Sequence, residues 1–215
     1  MAALLALVSL GLAAGCATVR PVPLPEGGAV DAARSSVTQT RDGVTVTVRA
    51  RAWTGTPGDL EFYVLPLHLT VRNDTGAAIT VEGRDIVLLD DEGRQYNALP
   101  PAEVAQLLQA QVRAPVVFAP WPYRRSLGWP YFYDPFYDPL GGWWWYPPRY
   151  PVHDVFGLAL RPGVLRPGAR LEGFVYFPPP PGSVRQFDAV VGYQVEGAPA
   201  RSELRFPFAL TRDGN

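Results

Sequence analysis

Apolar and polar residues alternate along much of the chain from residue 43 onward, which is typical of half-buried β-strands. In residues 44–49, three valines alternate with two threonines and an arginine. Residues 61–72 place five apolar side chains on one side of a predicted strand: Tyr63, Leu65, Leu67, Leu69 and Val71. The longest uninterrupted alternation runs through Phe187, Ala189, Val191, Tyr193 and Val195.

Turn residues separate these runs and set the order of the predicted strands. The turn at Asn73–Gly76 follows one strand, and the segment DIVLLDDEGRQYNAL predicts a hairpin in which Asp90 and Asp91 cap backbone groups of the turn. One short helix is predicted in PPAEVAQLLQAQV, with a proline near its start and apolar residues at helical spacing. About eight short strands with almost no helix predict an all-β fold, an antiparallel sandwich.

Three segments combine a strand with a characteristic turn: LHLTVRNDTGAAITV, IVLLDDEGRQY and VLRPGARLEGFVYFPPP. They resemble the immunoglobulin-like domains of small secreted bacterial proteins and lipoproteins, such as the mycobacterial immunogenic extracellular antigens. The resemblance covers roughly residues 43–110 and 156–210. It implies an immunoglobulin-like β-sandwich with one short helix, and it brings no catalytic residue.

The chain begins with fifteen uncharged, mostly apolar residues that end directly before Cys16. This run is too short to span a bilayer but suits the core of a signal peptide, predicted here as residues 1–15. The alternative, a buried N-terminal helix, would have no polar face to turn toward solvent.

Leu12 to Cys16 resembles the lipobox of bacterial lipoproteins, which implies that Cys16 carries the lipid. Because alanine rather than aspartate follows the cysteine, the resemblance further implies an anchor in the outer membrane, facing the periplasm. Residues 16–42 are proline-rich at first and then lack a sustained period, so we expect a lipidated N-terminus followed by a flexible tether. The sandwich is then expected over residues 43–212.

A block rich in proline and aromatic residues, residues 115–153, is expected to interrupt the sandwich. It holds fourteen aromatic residues and nine prolines. Prolines exclude a central strand, and so many exposed rings would make an apolar patch larger than monomers normally show. Consecutive side chains of an extended backbone alternate sides, so three adjacent tryptophans cannot all enter one core. The candidate contact residues are Trp121, Trp129, Tyr131, Tyr133, Tyr137, Trp143, Trp144, Trp145 and Tyr146.

Three surfaces could cover these rings: the face of the sandwich itself, a partner protein or glycan, or the membrane that holds the anchor. We therefore expect a non-enzymatic envelope lipoprotein that binds or scaffolds through the block. The alternatives are a module that binds peptidoglycan or polysaccharide, and a purely structural insertion packed on the sandwich.

Composition and the remaining polar residues leave little room for other functions. The net charge of −1 gives no basic footprint for nucleic acid, and no phosphate-binding or dinucleotide glycine motif is present. Asp134 and Asp138 each precede a proline, as is typical of turns, and their spacing with His153 and Asp154 fits no metal loop. His68 is expected to be an edge or surface residue whose polar groups are satisfied, and not a catalytic residue. No catalytic residue, metal or cofactor is therefore expected.

Overall fold

The computed structural model describes residues 19–112 and 151–212. These residues form β1 Val19–Pro23, β2 Ala29–Asp31, β3 Ser36–Arg41, β4 Val44–Arg49, β5 Leu65–Asn73, β6 Ile79–Val81, β7 Ile86–Asp90, β8 Gln95–Asn97, α1 Pro101–Val112, α2 His153–Gly157, β9 Gly163–Leu165, β10 Arg170–Phe177, β11 Gln186–Val195 and β12 Ser202–Arg212. Short 3-10 helices lie at Pro25–Gly27, Leu60–Phe62 and Gly83–Asp85.

The strands form two sheets in which the named pairs are antiparallel. The seven-stranded sheet runs β1-β12-β11-β6-β9, with β7 also pairing with β11 and β8 with β7. The five-stranded sheet runs β10-β5-β4-β3-β2. The predicted all-β sandwich is therefore confirmed.

Period-two alternation in the sequence corresponds directly to the burial of side chains between the two sheets. Val44, Val46 and Val48 of β4 are fully buried, while the residues between them are half-buried. From the other sheet, the rings of Phe187 and Phe208 stack with their centroids 5.4 Å apart. The main core thus lies between the inner faces of the sheets, as apolar alternation requires.

The segment expected to be a flexible tether is instead part of the folded sandwich from Val19 onward. Residues 19–23 form β1, paired along its length with β12, and residues 36–41 form β3, paired with β4. Proline is tolerated in an edge strand because one side of such a strand needs no ladder hydrogen bond. The prolines of β1 also supply apolar contacts, since Pro21 and Pro23 are buried and Val22 between them is exposed.

The Asn73 side chain fixes the turn that follows β5. It is fully buried, and its amide nitrogen donates to the carbonyls of Ala77 and Leu165 at 2.9 and 3.0 Å. Its Oδ1 accepts hydrogen bonds from the backbone N–H and the hydroxyl of Thr75. One side chain from the five-stranded sheet thereby satisfies groups of the turn and of β9 in the other sheet, which accounts for the asparagine here.

The predicted helix is confirmed as α1, and a second helix, α2, was not predicted. None of the helices in the described residues is long and apolar enough to cross a membrane.

Candidate functional site

The predicted contact residues of the aromatic block lie outside the described residues, as does the predicted lipidation site Cys16. What the structure does describe is the place where the block joins the sandwich. Helix α1 precedes the block, and α2 begins at its predicted last residue, His153. The candidate functional site is therefore this junction between the block and the sandwich.

The described segments that flank the block are both hydrogen-bonded to the same strand, β10, at the edge of the five-stranded sheet. Just before α1, the Leu99 N–H donates to the Tyr176 carbonyl at 2.7 Å. Just after α2, Leu160 N–H donates to the Phe174 carbonyl and Phe174 N–H donates to the Leu158 carbonyl, each at 2.8 Å. These bonds satisfy backbone groups of β10 that an uncovered edge strand would leave open.

A second apolar cluster, which we call the satellite core, holds the two helices against the outer face of this sheet. Side chains alternate along β10, so Val175 and Phe177 enter the main core while Phe174 and Tyr176 point to the opposite face. The buried members of the satellite core are Trp53, Leu60, Val64, Val104, Leu108, Val155, Phe174 and Tyr176.

Trp53 contacts both of the other buried aromatic rings of the satellite core. Its ring meets Phe174 edge-on, with centroids 5.0 Å apart, and meets Tyr176 edge-on at 6.2 Å. Its indole Nε1–H donates to the Pro57 carbonyl at 2.7 Å, so the polar group of a buried ring is satisfied. The loop after β4 is thus fixed onto the sheet by a tryptophan that the sequence interpretation did not select.

Polar contacts fix α2 in the same place. The Tyr176 hydroxyl donates to the Val155 carbonyl at 3.0 Å, and Thr56 N–H donates to Oδ2 of Asp154 at 2.8 Å. Burial, with a smaller contribution from the charge of Asp154, raises the pKa of Tyr176 far above its ordinary value. The hydroxyl therefore stays protonated and remains a donor.

To act as a catalytic pair, His153 and Asp154 would have to converge with a hydroxyl in a cleft. Their side chains are 3.2 Å apart, but His153 is 72% exposed. Asp154 is already occupied by the Thr56 amide. Asp154 therefore holds α2 to the Trp53 loop, and His153 lies exposed beside it.

An apolar cleft of about 270 Å³ lies beside the junction. It is formed by the start of α1, the segment after α2 and strand β10, and its walls include Leu99, Pro101, Leu160 and Phe174. Tyr176 is the titratable residue in its lining, and the hydroxyl of Tyr176 donates to the Val155 carbonyl. The cleft can accept an apolar side chain, but its lining offers no acid–base pair.

Large apolar side chains are also exposed on the two helices and directly after them. Leu107 of α1 is 42% exposed, and Phe156 and Leu158 are 46% and 43% exposed. These side chains belong to the elements that attach the aromatic block.

His68 lies on β5, an interior strand between β4 and β10, so it is not an edge residue. It is half-buried, and its ring meets Phe174 edge-on with centroids 5.0 Å apart. Burial, followed by the charge of Arg49, lowers the pKa of His68. Among the described residues, no group of three or more His, Cys, Asp and Glu side chains could hold a metal ion.

The predicted role of Asp90 in the hairpin turn is confirmed. Its Oδ1 accepts hydrogen bonds from the backbone amides of Glu92 and Arg94, at 2.9 and 2.8 Å. Its Oδ2 accepts from Arg94 Nε and from the Tyr96 hydroxyl, each at 2.7 Å. Burial alone would raise the pKa of Asp90, but these hydrogen bonds hold it well below its ordinary value.

Acid should therefore remove the stabilisation that Asp90 provides. A carboxyl whose pKa is lower in the folded than in the unfolded chain contributes fully above about pH 5, and loses that contribution as the pH falls below its ordinary 3.8. We expect Asp90→Asn to lower the melting temperature at pH 7, and the difference between the two chains to shrink progressively as the pH falls below 3.8 toward the much lower folded-state pKa. Calorimetry of both chains over a series of pH values from 7 downward measures this, and a difference that stays constant over the whole acid series would contradict the assignment.

No protein-family model, curated protein or solved structure matches this chain.

Proposed function

We propose that this chain is a non-enzymatic lipoprotein of the bacterial envelope, anchored in the outer membrane through Cys16 and facing the periplasm. Its β-sandwich, which we propose to be immunoglobulin-like, serves as a scaffold that presents the aromatic block of residues 115–153. The block binds or scaffolds another component of the envelope. The sequence supports the anchor, and the junction supports the presentation of the block.

The observation that carries this proposal is that the described segments on either side of the block are attached to one strand. Leu99 before α1 is hydrogen-bonded to Tyr176 of β10, and Leu158 and Leu160 after α2 are hydrogen-bonded to Phe174 of the same strand. Side chains of both helices are buried in the satellite core, so the elements that flank the block form a fixed base. A rigid base reduces the entropy lost when a long segment is ordered by a partner.

The purely structural alternative has its own support. Leu107, Phe156 and Leu158 are exposed on the attaching elements, and the apolar cleft lies beside them. Rings of the block could cover these surfaces, which would make the block an extension of the satellite core. The two functions differ in what residues 143–145 contact in the cell.

The anchor is tested by changing Cys16→Ser in the full chain. We expect nearly all of the protein to move from the membrane fraction to the soluble fraction, because the thiol that carries the lipid is lost. Ala17→Ser is the matched control and should stay with the membrane. Equal membrane partitioning of the Cys16→Ser chain and the unchanged chain would refute the anchor.

The contact surface is tested by photocrosslinking in intact envelopes from a photoreactive residue at position 144. Capture of the same envelope protein in repeated experiments supports binding, and a glycan adduct supports the glycan-binding alternative. Crosslinks to α1 or α2 of the same chain support the structural role. The control position is Val164, which is 70% exposed on β9 of the other sheet and should not give the same product.

A further inference from the structure

The distance between the proposed lipid and the folded domain is much shorter than a flexible tether would give. β1 begins at Val19, and only Ala17 and Thr18 separate it from Cys16. Even fully extended, three Cα–Cα steps span no more than about 11 Å. A lipid on Cys16 would thus hold the first residue of β1 close to the membrane surface.

The pairing of β1 identifies which end of the sandwich this is. Val19 pairs with Arg212 at the end of β12, and β12 in turn pairs with the start of β11. A small cleft at this end joins the two sheets, because it is lined by Pro21 and Leu210 from one sheet and by Leu65 from the other. We call this the anchor end.

The loops at the anchor end expose a large apolar side chain. The same cleft is lined by Arg51, Glu61 and Pro179, so the 3-10 helix Leu60–Phe62 lies here. Leu60 of this helix is buried in the satellite core, whereas Phe62 is 64% exposed. A single exposed phenylalanine is ordinary on a protein surface, but beside a membrane its ring can be buried at the boundary between lipid headgroups and acyl chains.

The charges around Phe62 are of both signs. Arg51 is exposed, and its charge opposes the effect of burial, which raises the pKa of Glu61. Arg20, exposed on β1, lies next to the predicted anchor. Arginine side chains can reach lipid phosphates while their apolar stems lie along the protein. Mixed charge indicates a contact set by the anchor and by apolar burial, with little need for anionic lipid.

We propose that the sandwich rests directly on the lipid surface at its anchor end, with the Leu60–Phe62 helix as the contact and the short link as its cause. This rests on the proposed lipidation of Cys16. The occupant of this apolar surface is the lipid of the membrane that carries the anchor. The sandwich is consequently held in one orientation and does not sample the periplasm on a long tether.

The test places an environment-sensitive fluorophore on Phe62→Cys in the lipidated full chain, where position 62 provides the free thiol. The protein is reconstituted in phosphatidylcholine vesicles with brominated acyl chains, which quench fluorophores close to lipid. The control is Glu196→Cys just beyond the far end of β11, a ten-residue strand about 30 Å long. We expect several-fold stronger quenching at position 62 than at position 196.

A third chain separates the effect of the link from the effect of the surface. Inserting about twenty glycine and serine residues between Thr18 and Val19 gives a flexible reach of about 25 Å. We expect quenching at position 62 to fall to the level at position 196. Equal quenching at the two positions without the insertion, or unchanged strong quenching at position 62 with it, would overturn the proposal.

Fractionation of the same samples distinguishes the two possible failures. A chain that sediments with vesicles only when Cys16 is present, but whose label at position 62 is in water, keeps the anchor and refutes the docking. If the chain sediments with vesicles equally well with Cys16 and with Cys16→Ser, the anchor itself is refuted. Each labelled chain should unfold at the temperature of the unlabelled chain, which excludes damage by the label.

Discussion

Trp53→Ala is expected to lower the free energy of unfolding by about 4 kcal/mol, since it removes a large buried ring from a packed cluster. The ring contacts Phe174 and Tyr176, and its N–H satisfies the Pro57 carbonyl. Its loss leaves a cavity beneath both helices and an unpaired carbonyl. Urea unfolding of the full chain, followed by far-ultraviolet circular dichroism, measures the change without relying on tryptophan fluorescence.

Phe62→Ala is the matched control for this experiment. Phe62 is an aromatic residue close to Trp53 in sequence, but it is 64% exposed. We expect its removal to change the unfolding free energy by less than about 0.5 kcal/mol in the absence of membranes. If Trp53→Ala lowered the free energy of unfolding by as little as Phe62→Ala, the satellite core would not depend on Trp53.

The satellite core also explains how one cluster can affect the proposed function. Val104 and Leu108 from α1 and Val155 from α2 are buried together with Trp53. A variant that loosens this cluster loosens both helices that flank the aromatic block at once. Trp53→Ala should therefore also weaken crosslinking from position 144, even though Trp53 belongs to a different part of the chain.

The main sandwich could be predicted from the sequence because its physical basis is local. Three features can each be recognised from a few consecutive residues: the alternating valines of β4, the turn at Asn73 and the acidic hairpin at Asp90. Helix α1 was predicted for the same reason, since its start and its apolar spacing are both local.

β1 was not predicted because its pattern contradicts the usual appearance of a strand. Two prolines in five residues indicate a linker when read alone. They fit here because β1 is an edge strand whose partner, β12, lies far along the chain: Arg20 pairs with Thr211, which is 191 residues later. Such a long-range pairing leaves no local mark in the sequence.

The junction was missed for a related reason. Trp53 stands in AWTGTPGD, which reads as a loop, and its burial depends on α1, α2 and β10 meeting over it. Five residues of α2 are too few for a helical period to be recognised. A lone tryptophan among turn residues was the one local sign that this loop carries part of a core.

Gly173→Ala is expected to destabilise the chain by about 3 kcal/mol, because β10 and the segment after α2 approach too closely for a side chain. A Cβ at this position would lie 2.5 Å from Leu160 N and 2.8 Å from the Ala159 carbonyl carbon. Gly173 also has a φ of 156°, which disfavours other residues. Both hydrogen bonds between Phe174 and this segment would be disturbed.

Gly163→Ala provides the control, since a Cβ on that strand glycine would meet nothing within 4 Å. We expect little change in its unfolding free energy, and normal amide protection at Leu160. In Gly173→Ala, hydrogen exchange at the Leu160 and Phe174 amides should accelerate more than exchange in the main core, because these are the amides that hold the end of the block to β10. If Gly173→Ala unfolds like the unchanged chain and keeps both amides protected, the close contact that attaches α2 to the sandwich is wrong, and with it the fixed base on which the aromatic block is proposed to act.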